Sequence, residues 1–174
     1  MLISVEKLRE YIETDLSDSV LEAKLRGLEL MIRAYTHNNF QKRNIRSVCT
    51  SDGNTVNGLH NFINIGDTVE ISESFVNNGV YTVESVNNGI GKFKESIYPE
   101  EFFKVTKVVY PDDVIFGVID LLKWEINNRD KVGVQSETIS RHSVTYFNMD
   151  GSNSVMGFPT SLLGFLTPYR KARF

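Results

Sequence analysis

Residues 111–130, PDDVIFGVIDLLKWEINNRD, decide how this chain is read. Pro111 suits a first helical position, because its missing N–H would be unpaired there in any case. Asp112 and Asp113 put negative charge at the positive end of the helix dipole. Val114, Ile115, Phe116, Val118, Ile119, Leu121, Leu122, Trp124 and Ile126 then spread over far more than one stripe. Asp120, Lys123, Asn127 and Asn128 leave a thin wet face. A helix apolar around so much of its circumference needs cover on several sides. The expectation is the central helix of a helical core, buried by its neighbours and by other subunits.

Upstream, Val5–Glu13 reads as a short helix capped by Ser4. Ser19-Val-Leu-Glu22 fits a capping box. From there Leu21, Leu25, Leu28, Ile32 and Tyr35 repeat at helical spacing to about Thr36, and Glu22–Arg26 and Glu29–Arg33 are spaced four apart in the favourable order. The polar run His37-Asn38-Asn39 ends that helix. Downstream, a polar arm over 133–157 carries two strand-like runs. Pro159 then opens a last short helix, Thr160–Leu166, before the basic and aromatic tail Thr167–Phe174. Neither run buries enough alone, so the arm should be mobile unless it pairs with something.

Between about Asn44 and Val108 the pattern turns to β. Thr68–Ser72, Val80–Glu84 and Lys104–Val109 alternate with period two. Asp52-Gly53, Asn57-Gly58, Asn78-Gly79 and Asn88-Gly89 supply residues suited to positive φ in tight turns. A small curled barrel of five or six strands fits these short runs, and Gly66–Val83 has an SH3-like look. The predicted architecture is therefore α+β: a helical bundle core of three to four helices, an inserted β-barrel-like domain, and a C-terminal arm and tail. The domains are 1–43 with 109–174, and 44–108.

At 174 residues with 41% hydrophobic and 24% charged, the chain has an ordinary globular composition, and a net charge of −3 gives no global case for nucleic acid or an anionic membrane. The N-terminus lacks a signal-peptide pattern and no stretch approaches a transmembrane span. With Cys49 as the single cysteine, no intramolecular disulfide forms, and a reducing, cytosol-like compartment is expected. Asn88-Gly-Ile-Gly-Lys92 lacks the spacing and the Ser/Thr of a phosphate loop. His37, His60 and His142 fall in separate segments without carboxylate partners. Glu100-Glu101 and Asp112-Asp113 read as solvated ends of elements, and Ser161 lacks a nucleophile-elbow context. No catalytic, metal or cofactor site is predicted, and the chain reads as a non-enzyme.

Three segments resemble the phage head–tail connector, or head-completion adaptor, family. They are Lys123–Tyr146 (KWEINNRDKVGVQSETISRHSVTY), Leu162–Lys171 (LLGFLTPYRK) and the helix end Tyr35-Thr-His-Asn-Asn-Phe40. The first is similar to the family's central helix running into a Gly-x-x-Ser-Glu arm and a Ser-x-Thr-Tyr strand, the second to its closing helix and Pro-Tyr-Arg tail. The resemblance covers about 1–43 and 109–174 and leaves out the β insert. It implies a structural virion protein of the neck, present in the host cytoplasm during assembly. Such proteins form a homo-oligomeric ring, typically of about twelve subunits, under the portal protein. They extend the DNA channel, without sequence-specific DNA contacts, and receive a tail-side connector, stopper or tail protein. Carried onto this chain, portal docking falls to Leu162, Phe165, Leu166, Pro168, Tyr169, Arg170, Lys171, Arg173 and Phe174. The inter-subunit arm comprises Ser136, Glu137, Ile139, Arg141, Val144 and Tyr146. An alternative reading makes the β insert a nucleic-acid-binding module, with Phe62, Phe75, Tyr81 and Phe93 as a stacking platform beside Lys92 and Lys94.

Overall fold

The computed structural model describes residues 2–128, 136–139, 142–145 and 153–172, the two short runs 136–139 and 142–145 by their backbone alone. The chain divides into two compact units. One comprises Leu2 with Asn38–Tyr110, the other Ile3–His37 with the residues from Pro111 onward.

The first unit is a closed antiparallel barrel of six strands: β1 (Gln41–Asp52), β2 (Val56–Asn57), β3 (Thr68–Ser72), β4 (Gly79–Asn87), β5 (Ile90–Phe93) and β6 (Pro99–Val108). They pair in the order β1-β2-β5-β4-β3-β6, and β6 returns to β1 to close the ring. Closure depends on β1 and β6, of 12 and 10 residues, which pair from Gln41↔Val108 to Asp52↔Pro99. Register shifts between Gln41 and Arg46 and between Cys49 and Ser51 bend β1 so that it also reaches β2. Alternation places Val69 and Ile71 of β3 and Phe103 and Val105 of β6 inside, with Ile45, Cys49, Val56, Leu59, Ile63, Val83, Phe93 and Ile97 filling the core. Asn88 and Gly89 join β4 to β5 with positive φ at both residues, as a type I′ turn requires. Gly79 does not take positive φ; in the β3–β4 connection that conformation falls on Glu73, at φ 57°.

The second unit holds α1 (Val5–Leu8), α2 (Asp18–Thr36), α3 (Asp112–Asn128) and a 3₁₀ helix (Thr160–Tyr169). It also contains the hairpins β7 (Ser136–Ile139) with β8 (His142–Thr145), and β9 (Ser154–Val155) with β10 (Phe158–Pro159). Leu21, Leu25, Leu28 and Ile32 of α2 are buried, as are Val114, Val118, Ile119, Leu121 and Leu122 of α3. The half-buried Lys24–Glu125 pair, at 2.9 Å, ties these helices together.

The expected helical bundle core is corrected by this architecture. The largest assembly is the six-stranded sheet, and helices are few. Two of the helices also differ from their sequence signals. α1 stops after one turn because the Arg9 guanidinium gathers the following chain, donating to the carbonyls of Thr14 and Leu16 and to the Asp18 carboxylate. That ion pair also places the start of α2 at Asp18, with Ser17 rather than Ser19 in the cap position. The closing helix is 3₁₀ because its apolar period is three: Leu163 and Leu166 are buried and Tyr169 continues the row. An α-helix there would set the Pro168 ring against the Gly164 carbonyl.

Candidate docking surfaces

The C-terminal segment is fastened at its base. Leu166 is fully buried and Leu163 nearly so. The Phe165 ring lies over Gly117 of α3, so close that a Cβ there would stand 2.5 Å from three ring carbons. The Tyr169 hydroxyl donates to the Asp113 carboxylate at 2.7 Å, and that bond pushes the phenol above its ordinary pKa. The Arg170 guanidinium sits 5.1 Å from the Tyr35 ring centre. The Lys171 N–H donates to the Thr36 carbonyl at 2.8 Å. Pro168, Arg170 and Lys171 are exposed, while Leu162, Phe165 and Tyr169 are half-buried. Of the residues expected to dock on portal, Leu162, Phe165, Leu166 and Tyr169 thus contribute to or border the chain's own helical unit. Arg173 and Phe174 lie outside the described residues.

In the arm, Ser136 pairs with Thr145, Glu137 with Val144, and Ile139 with His142. Arg141 and Tyr146 lie outside the described residues. Among the described residues this hairpin is a two-stranded sheet of its own. Two strands of four residues are marginal without a further partner.

On the barrel, the β3–β4 connection is locked by one carboxylate. Glu100 accepts from the Ser74 hydroxyl at 2.5 Å, the Phe75 N–H at 2.7 Å and the Asn77 amide at 2.8 Å. These bonds, the Ser74 one foremost, hold the Glu100 carboxyl below the usual carboxylate range. Asn77 also accepts from the Tyr98 N–H, Asn78 accepts from the Ser74 N–H, and the Tyr81 hydroxyl donates to the Asn77 carbonyl. A loop so fully bonded nevertheless leaves Phe75 97% exposed, with Val76 and Tyr98 also exposed. At the other end of β4, His60, Asn61, Ile63, Asn64, Val86 and the Asn87–Gly89 turn line an open concavity of about 330 Å³. Phe62 and Ile65 stand exposed on the neighbouring loop. The His60 Nδ1 accepts from the Phe62 N–H at 3.2 Å, and the two rings lie 5.5 Å apart.

The four aromatics of the stacking-platform reading do not share a face. Phe93 is buried in the barrel core, and Tyr81 packs against it with ring centres 5.3 Å apart. Phe75 and Phe62 stand at opposite ends. Cys49 is buried, and burial pushes its thiol pKa up. His37 caps α2 in the left-handed conformation. Among the described residues no group of three or more His, Cys, Asp or Glu is placed to hold a metal ion. No described helix is long and apolar enough to cross a membrane. Sequence reasoning missed the Glu100-locked loop. Its signal was present in Ser74, Asn77 and Asn78, side chains that bond neighbouring backbone and favour turns, but their partner Glu100 lies far along the chain. Neither a protein-family model nor a curated protein matches the chain.

Proposed function

We propose that this protein is a structural component of a phage neck, forming a ring beneath the portal protein that joins head to tail. The observation that carries the reading is the C-terminal segment. Its 3₁₀ helix is anchored by Leu163 and Leu166, and it ends in exposed Pro168, Arg170 and Lys171. A docked base with an exposed basic end suits capture by a larger partner, because the base fixes the direction in which the charged groups are presented. The resemblance of Leu162–Lys171 to the connector tail supports the same reading. The β7–β8 hairpin adds to it, since its strand edges could be extended by β-addition from a neighbouring copy. So does α3, where Phe116 is exposed and Ile115 and Ile126 are half-buried, leaving apolar surface for lateral contact.

The test is native mass spectrometry of the full chain with its cognate portal ring. The intact protein should load the portal with a ring of copies. The Arg170→Ala/Lys171→Ala double variant keeps Tyr169, Leu163 and Leu166, and should retain its fold while losing portal occupancy. Undiminished binding by that variant, and by a chain lacking Pro168–Phe174, would overturn the proposal.

A further inference from the structure

We infer that the barrel is a head-to-tail self-association module, in which Phe75 of one copy seats in the His60–Gly89 concavity of the next. The two features lie at opposite ends of the same barrel. β4 starts at the Phe75 loop and ends at the Asn87–Gly89 turn after nine residues, roughly 26 Å of extended chain at ~3.3 Å per residue. A knob and a socket at opposite ends make a heterologous contact, which generates rings where the rotation closes and filaments where it does not.

Size, rigidity and charge all favour a second copy as the occupant. The concavity, about 330 Å³ and open to solvent, is wide enough for the Phe75 ring and would meet it with Ile63, Val86 and the His60 ring among polar Asn side chains. The Glu100 network fixes the knob before contact, so little loop entropy is lost on docking. With the Glu73–Lys104 and Asp67–Lys107 pairs set aside, the Phe75 end carries Asp52, Glu95, Glu100 and Glu101 against Lys94. The opposite end, where β1 begins, carries Lys42, Arg43 and Arg46 against Glu70. Head-to-tail stacking sets the acidic end on the basic one. A two-fold contact of Phe75 on Phe75 would instead bring the acidic ends together, which like-charge repulsion opposes. Closure into a ring rests on the connector reading; the pairwise contact does not.

The experiment is disulfide trapping in the full chain. Val76→Cys and Asn61→Cys variants, alone and mixed, are oxidised under mild conditions and analysed by intact mass; buried Cys49 is retained. The mixture should trap a Val76–Asn61 heterodimer well above either homodimer, and the double variant should give a ladder of higher oligomers. Adding Phe75→Ala to the Val76→Cys chain should slow trapping by about 30-fold, the loss expected for an aromatic hot spot. Phe75 packs on nothing in the barrel, so that variant keeps its fold. Val76–Val76 dimers forming as fast as the mixed species, or trapping indifferent to Phe75→Ala, would overturn the inference. Loading of the portal without the mixed crosslink would remove the barrel contact and leave the connector reading standing. A crosslinked ladder from a protein that ignores portal would do the reverse.

Discussion

Substituting Gly117 by Ala sets two effects of known sign against each other. In a helix interior Ala is better than Gly by about 1 kcal/mol, through the reduced backbone entropy of the unfolded chain. Gly27, in the middle of α2, isolates that gain, since nothing lies within 4 Å of where its Cβ would stand. At Gly117 the new Cβ would meet three Phe165 ring carbons at 2.5 Å. Carbon atoms pack best at about 3.5–4.0 Å, so the ring must withdraw by roughly 1 Å or more. Overpacking of this kind costs about 1–3 kcal/mol. Gly117→Ala should therefore fall below Gly27→Ala by about 1–3 kcal/mol, and finish between unchanged and about 2 kcal/mol less stable than the parent chain. Trp124 is the only tryptophan and lies on α3, its ring centre 5.5 Å from that of Phe158. Its fluorescence thus follows urea unfolding of the unit that holds both glycines. With m near ~2 kcal/mol per molar urea, the two midpoints should separate by about 0.5–1.5 M. Adding Phe165→Ala to each variant should largely abolish the separation, because the clashing partner is gone. Equal rises in midpoint for Gly27→Ala and Gly117→Ala would refute the placement of Phe165, and with it the anchored base of the C-terminal segment.

Gly58 and Gly66 offer a second matched pair, in the barrel. Both have positive φ, 95° and 84°, but a Cβ on Gly58 would lie 2.7 Å from the Val48 carbonyl oxygen while Gly66 faces open space. Gly66→Ala should cost about 1 kcal/mol of backbone strain, and Gly58→Ala about 2–4 kcal/mol with loss of β1–β2 pairing, both read from thermal unfolding by circular dichroism; equal costs would argue against the β2 register. The Glu100 carboxyl has a folded pKa below its unfolded one. Its contribution is complete above the ordinary glutamate value of about 4.3, and is lost as pH falls through the depressed folded value. Amide exchange at Phe75–Asn78, corrected for its intrinsic pH dependence, should speed up in that acidic window. Glu100→Gln should show the fast exchange already at neutral pH, with no acid step; a step surviving in Glu100→Gln would assign it to another group.

The sequence made local features legible and left non-local ones hidden. The row Leu21, Leu25, Leu28, Ile32 marks α2, the period-two run Thr68–Ser72 coincides with β3, and Lys104–Val109 overlaps β6 up to Val108, because each pattern needs only its own residues. The relative weight of helix and sheet is not legible, because the apolar run of α3 dominates locally. Barrel closure depends on β1 pairing with β6, whose partners lie 47 to 67 residues away, through bulges that spoil the alternation of β1. The α2 start was misplaced for a similar reason: Arg9 reaches over to Asp18, and this competes with the Ser19–Glu22 box. The mix of aromatic and basic residues in the tail is visible in the sequence, but composition cannot show that Leu166 is buried while Arg170 is exposed.

Several carboxylates are spent on holding the fold. Glu100 and Asp52 are held below the usual carboxylate range by hydrogen bonds, Glu100 by donors of the β3–β4 connection and Asp52 by its own turn, with the Thr55 N–H the main cause at Asp52. Asp113 is engaged by Tyr169 and Asp67 by Lys107. These groups serve to hold loops and ends in place. What the held segments present is apolar or cationic: Phe75 and Val76 on the Glu100 loop, Arg170 beyond the Tyr169 bond. Rigid polar scaffolding under exposed aromatic and basic groups lowers the entropic cost of association. That is where a ring-forming adaptor would gain from it, since every copy must make the same contacts many times over.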